Sequence, residues 1–142
     1  MKKKYLIVLA DYYKNIANGL LKSALKVIPK SNTVKIIKVP GAFEIPVTIS
    51  KNIKKYDAFL ALGCVIKGKT PHFDLICKST FSALMKISIE FNKPIGNGII
   101  TSFNIKQAKE RSFISRKNSK PNKGTEAAKA TISVLLNEPT AE

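Results

Sequence analysis

The stretch Ala61-Leu62-Gly63-Cys64-Val65-Ile66-Lys67-Gly68-Lys69-Thr70-Pro71-His72-Phe73-Asp74 runs from an apolar β-rich segment to a helix start through one short glycine-bearing turn. A run that is apolar without alternation reads as a strand covered on both faces. Thr70 can cap a helix by accepting from a free first-turn amide, Pro71 suits the first helical position, and His72 then lies in that same turn. The reading predicts a strand over 58–66 that hands over at Lys67–Thr70 to a long helix from His72 to Phe91. This unit builds parallel α/β sheets, and its turn is where such sheets hold anionic ligands.

On either side of this unit, Tyr5 to Ala10, Val34 to Val39 and Ile95 to Thr101 are further apolar runs, again as expected of strands covered on both faces. Between them, Ile16, Leu20, Ala24 and Val27 mark a helix over 15–27 that Pro29 stops, and Pro46 opens a helix running toward Ile53. Asn92-Lys93-Pro94 breaks the long helix. Helices from Asn104 to about Arg111 and from Gly124 to Leu136 flank a polar linker from Ser112 to Asn122. Strand and helix in alternation imply parallel strands, right-handed crossovers and helices on both faces, a doubly wound α/β domain. Ligands of such sheets bind beyond the carboxyl ends of the strands. The segments expected there are Asp11-Tyr12-Tyr13, Pro40 to Glu44, Lys67 to His72, and Gly96-Asn97-Gly98 with the residues just after it.

A chain of 142 residues, 44% hydrophobic, suffices for one core, so residues 1–142 are expected to form a single domain. Lys2-Lys3-Lys4 before Tyr5–Ala10 imitates a secretory signal, but Asp11 ends the apolar stretch too early. No stretch approaches the ~20 apolar residues of a membrane span, so a soluble protein without a membrane partner is expected. Cys64 and Cys77 lack metal-ligand spacing and are too few for a disulfide framework, which favours the cytoplasm. The net charge of +16 comes almost wholly from lysine spread along the chain, with arginine only at Arg111 and Arg116. Nucleic-acid binders gather their basic residues on one face and draw on arginine, so the charge reads as a solvated surface and no nucleic-acid partner is expected.

Around His72, the first-turn amides and the Gly68 turn would cradle a phosphate, and the imidazole would be placed to carry protons near neutral pH. The plainer reading is a surface histidine in a loop. Gly63 to Thr70 also satisfies the G-x-x-x-x-G-K-T pattern of a nucleotide-binding P-loop. Against that rival, Cys64, Val65 and Ile66 prolong the strand, and Pro71 fits poorly where the motif continues as helix.

Five strings carry a resemblance: Val39-Pro40-Gly41-Ala42-Phe43-Glu44-Ile45-Pro46, Leu62 to Asp74, Gly96-Asn97-Gly98-Ile99-Ile100-Thr101, Gln107-Ala108-Lys109-Glu110-Arg111, and Asn122-Lys123-Gly124-Thr125-Glu126-Ala127-Ala128. In this order, and over nearly the whole chain, they resemble the 6,7-dimethyl-8-ribityllumazine synthase family. The resemblance implies a flavodoxin-like three-layer α/β sandwich, a four-stranded parallel sheet covered by helices on both faces. It implies condensation of 5-amino-6-(D-ribitylamino)uracil with 3,4-dihydroxy-2-butanone 4-phosphate, with loss of phosphate and water, without metal or organic cofactor. An archaeal-type riboflavin synthase of the same fold family is the nearest alternative.

By the same resemblance, His72 shuttles protons, while Gly68, Lys69, Thr70 and Arg111 hold the phosphate. Tyr12 stacks on the pyrimidine, unless Tyr13 is the ring that turns inward. Ala42, Phe43 and Glu44 meet the ribityl chain, Val65 and Ile66 offer main-chain contacts to the pyrimidine edge, and Lys123 touches substrate. Asn97 matches a residue that reaches the site from a neighbouring subunit, so a homo-oligomer built on pentamers is implied, with riboflavin synthase as a candidate partner. Taken singly, Glu44 would be a helix-start carboxylate, Arg111 a solvated helix residue and Asn97 a turn residue between glycines.

Overall fold

Four strands, β1 (Lys4–Ala10), β2 (Thr33–Val39), β3 (Ala58–Ile66) and β4 (Ile95–Ser102), pair in parallel in the order β2-β1-β3-β4. The computed structural model describes residues 2–113, 122–137 and 139. Five helices pack on the sheet: α1 (Lys14–Val27), α2 (Ile45–Asn52), α3 (His72–Phe91), α4 (Ile105–Ser112) and α5 (Lys123–Leu136).

The layering arises from the pleat, which sends successive side chains to opposite faces. Tyr5, Ile7 and Leu9 of β1 enter a core with Ile16, Leu20 and Ala24 of α1 and Ala127 and Ala128 of α5. Leu6, Val8 and Ala10 enter a second core with Ile45 and Ile49 of α2 and Leu84 of α3. Burying each leucine, isoleucine or valine among them contributes about 1.5–3 kcal/mol against chain entropy. Helices therefore cover both faces, as expected from the unbroken apolar runs.

β2 departs from that expectation. It is an edge strand, with Lys35, Ile36 and Lys38 exposed instead of covered on both faces. The two lysines leave the edge charged, which discourages another strand from pairing there.

Local chemistry fixes the helix ends. Asn92 ends α3 in the left-handed region (φ 53°, ψ 44°), a conformation asparagine tolerates. The next residue ties the turn down: Lys93 Nζ donates to Ile53 O at 2.6 Å and Tyr56 O at 2.9 Å. Asn104 and Asn122 cap α4 and α5, their Oδ1 atoms accepting from Gln107 N at 2.9 Å and Thr125 N at 3.1 Å. Gly124, in the first turn of α5, lets α5 ride directly on α1, since a Cβ there would stand 2.4 Å from Leu20 O. Of the expected polar linker, Ser112 instead closes α4 and is buried, and residues 114–121 lie outside the described residues. Among the described residues no helix is long and apolar enough to cross a membrane.

Candidate active site

A cavity of about 650 Å³ opens beyond the carboxyl ends of β1, β2 and β3. Tyr12 and Tyr13 follow β1, Gly41 to Glu44 follow β2, Cys64 to Ile66 end β3, and His72 and Ile76 come from the first turns of α3. His72 and Ile76 are four residues apart and so share one helix face. The segment after β2 forms a 3-10 turn over Ala42–Glu44, which presents Phe43 outward while Ala42 is buried. No pattern in the residues announces that turn.

Of the residues singled out in the sequence, His72, Tyr12, Ala42, Phe43, Glu44, Val65 and Ile66 all line this cavity. Cys64, Tyr13, Gly41 and Ile76 line it too. By sequence Cys64 reads only as a buried cysteine, although its place two residues before the end of an inner strand marks the site. Burial pushes the Cys64 thiol up to about 12. Burial also raises the Tyr13 phenol, with Cys64 and Tyr12 adding to the effect. Both groups stay protonated at neutral pH, so this wall of the cavity is uncharged.

The turn Lys67–Thr70 is exposed beside His72. Lys67 N donates to Ser102 O at 2.9 Å and its Nζ stands 5.5 Å from the centre of the Phe103 ring, which fixes where the turn departs. The capping differs from the expected pattern. The helix starts at His72, Pro71 occupies the cap position, and Thr70 Oγ1 accepts only a long 3.4 Å bond from His72 N. Gly68 has no positive φ, and a Cβ on it would meet nothing within 4 Å. Neither backbone strain nor crowding within the chain calls for a glycine there, and the space above it is open to a ligand.

Gly63 lies within β3, paired with Ile99, with the space at its Cα closed by Ala10 Cβ at 3.0 Å. The P-loop match therefore has strand where that motif needs a loop.

Three candidates lie elsewhere in the chain. Asn97 is the third residue of β4, paired with Ala61, and its Oδ1 accepts from Ile99 N at 3.1 Å. This corrects its expected place at a carboxyl end: the residue opposite Val65 is Thr101, four positions on, or about 13 Å along the strand. Arg111, at the end of α4, and Lys123, at the start of α5, both reach Glu126 Oε2, at 3.7 and 3.8 Å. Neither lines the cavity with His72, and Gly68, Lys69 and Thr70 of the adjoining turn are not among its lining residues either. Among the described residues, Arg111 Nε and Asn122 Nδ2 are buried without a hydrogen-bond partner.

A doubly wound sheet with a mixed apolar and polar cavity over its carboxyl edge belongs to the class of α/β proteins that take small molecules at that edge. The family model of 6,7-dimethyl-8-ribityllumazine synthase matches residues 2–138. The chain is 42% identical over 139 residues to that synthase of Bartonella henselae, covering 94% of this chain and 87% of the relative. It is 41% identical over 142 residues to the one of Blochmanniella pennsylvanica, at 94% and 87% coverage, and 40% identical over 141 residues to the one of Bartonella tribocorum, at 95% and 91%. The chain belongs to the 6,7-dimethyl-8-ribityllumazine synthase family, and its activity is that synthase activity of riboflavin biosynthesis.

Proposed function

We propose that the cavity seats the pyrimidine and ribityl chain of 5-amino-6-(D-ribitylamino)uracil, with the phosphate of 3,4-dihydroxy-2-butanone 4-phosphate at the Gly68–Thr70 turn. The observation that carries this reading is the convergence of aromatic, carboxylate and imidazole side chains on one cavity: Tyr12, Glu44 and His72. Tyr12 offers the pyrimidine a ring face. Glu44 accepts hydrogen bonds from ribityl hydroxyls, Ala42 and Phe43 flank that chain, and Val65 and Ile66 meet the pyrimidine edge through their main chain. Imine formation, loss of phosphate and ring closure each move protons, and His72 is the imidazole at hand for them.

The phosphate is held by Gly68 and Lys69 amides, the Thr70 hydroxyl and the Arg111 fork. Long, half-exposed pairs such as Arg111 with Glu126 are worth little, so Arg111 can exchange that carboxylate for a phosphate at small cost. Arg111, Lys123 and Asn97 neither line the cavity of their own chain nor adjoin His72 in sequence as Gly68–Thr70 do, so we assign them to the site of a second copy. That makes the enzyme a homo-oligomer, and the family resemblance implies the pentamer as its unit. Leu75, Met85 and Ile89, large apolar residues exposed along α3, support a covered face in the assembly. Residues 1–142 act as one domain in this reading. A cytoplasmic setting is supported by Cys64 and Cys77 both being free thiols.

Incubating the pure protein with the two substrates tests the activity on which this seating rests. The expected result is fluorescent lumazine released with one equivalent of phosphate, without added metal or ATP. Consumption of lumazine to give riboflavin, with none formed from the two substrates, would instead favour the riboflavin synthase alternative.

A further inference from the structure

Tyr12 is 75% exposed, and an exposed ring without a support behind it is a poor platform for a flat ligand. Tyr13 differs from it in kind. It is partly buried, packs against the core that contains Ile16 and Leu62, and occupies the cap position of α1 in an extended conformation (φ −99°, ψ 92°). Its ring meets that of Tyr12 with centroids 4.9 Å apart and planes at 77°, the edge arrangement that aromatic quadrupoles favour. Whichever ring presents its edge, at least one face of Tyr12 stays free toward a ligand. Both rings line the cavity, with Cys64 alongside.

We propose that Tyr13 is a positioning residue for the pyrimidine substrate: its core-anchored ring holds the exposed Tyr12 ring in the orientation that stacks on the ligand. This rests on the reading of Tyr12 as the pyrimidine platform. The ring of Tyr13 supplies the effect and its hydroxyl is dispensable, which separates positioning from direct hydrogen bonding to substrate. The neutral state of the Tyr13 phenol and Cys64 thiol keeps the contact free of charge changes around neutral pH.

The test is steady-state kinetics on the full chain with the pyrimidine varied at saturating ketone, for Tyr13→Phe, Tyr13→Leu, Tyr12→Leu and the double Leu variant. Tyr13→Met, of similar core volume, stands in if Tyr13→Leu fails to fold. Tyr13→Phe is expected to keep KM and kcat within about twofold. Tyr13→Leu is expected to raise KM for the pyrimidine about three- to tenfold, with kcat and the KM of the ketone nearly unchanged. The double variant is expected to be no worse than Tyr12→Leu alone, because Tyr13 acts only through Tyr12. Parental KM in Tyr13→Leu, losses that multiply in the double variant, or a Tyr13→Phe as impaired as Tyr13→Leu would each overturn the proposal. If Tyr12→Leu itself keeps parental KM, the platform reading falls, and positioning with it. A weakened Tyr12→Leu beside a normal Tyr13→Leu removes positioning alone.

Discussion

Gly124→Ala is a sharp probe of how the fold places the basic residues of α5. In an isolated helix the change stabilises by about 1 kcal/mol, because alanine is the better helix former. Here the new Cβ would stand 2.4 Å from Leu20 O and 3.1 Å from Leu20 Cα, where about 3.4 Å is needed, so α5 must back away from α1 by about 1 Å. The obstacle is backbone of α1 and cannot swing aside. Overpacking of this kind costs about 1–3 kcal/mol, and a backbone obstacle sits at the upper end or beyond. The expected net loss is about 2 kcal/mol, or about 6 °C in Tm for a chain of this size. Thermal unfolding followed by circular dichroism at matched protein concentration reads it. The displaced first turn carries Lys123, so substrate affinity should fall as well. A Tm equal to or above the parent would rule out the close helix packing, since the propensity gain would then stand alone.

Other consequences are open to measurement. His72→Ala should lower kcat by about 100-fold or more while leaving binding of the pyrimidine, followed by fluorescence titration, within a fewfold of the parent. Arg111→Ala should act mainly on KM for the phosphorylated ketone, raising it about 10- to 100-fold as expected for a charge-assisted bond, with kcat much less affected. Burial lifts the Cys64 thiol from an ordinary 9.0 to about 12, so between those values the folded chain keeps a proton that the unfolded chain releases. Stability is full below about pH 9 and declines as pH rises toward 12, and Cys64→Ala should flatten that decline in urea titrations run across the window. Lys93→Met leaves the carbonyls of Ile53 and Tyr56 without their shared donor, and should lower the urea midpoint by the equivalent of about 1–3 kcal/mol.

What the sequence reveals and what it hides have physical reasons. β1 and β3 are inner strands apolar on both faces, and so are legible to within a residue at either end. The edge position of β2 is written in Lys35 and Lys38, but Ile36 and Ile37 between them imitate a covered strand. The 3-10 turn of Ala42–Glu44 leaves no periodic trace in three residues. Gly96 and Gly98 read as a turn around Asn97, yet in β4 they serve packing: a Cβ on Gly96 would stand 2.5 Å from Ala127 O. Close approach of a helix and a turn use the same residue type, and only the sheet register tells them apart. Within the site, the residues after strand ends are legible because the fold class says where ligands bind. That Arg111 and Lys123 do not line the cavity with His72 is not, since spacing along the chain does not say which helix ends face it.

The assignment of roles stands on a sugar phosphate docking where β3 passes into α3, with His72 beside it. A crystal structure with a pyrimidine analogue bearing a phosphonate tail tests this most directly. Phosphonate oxygens are expected within about 3 Å of the Gly68–Thr70 amides, with the ring against Tyr12 and Arg111 of a second copy on the same phosphonate. A phosphonate bound away from the β3–α3 junction, with His72 facing empty solvent, would show the docking assignment to be wrong.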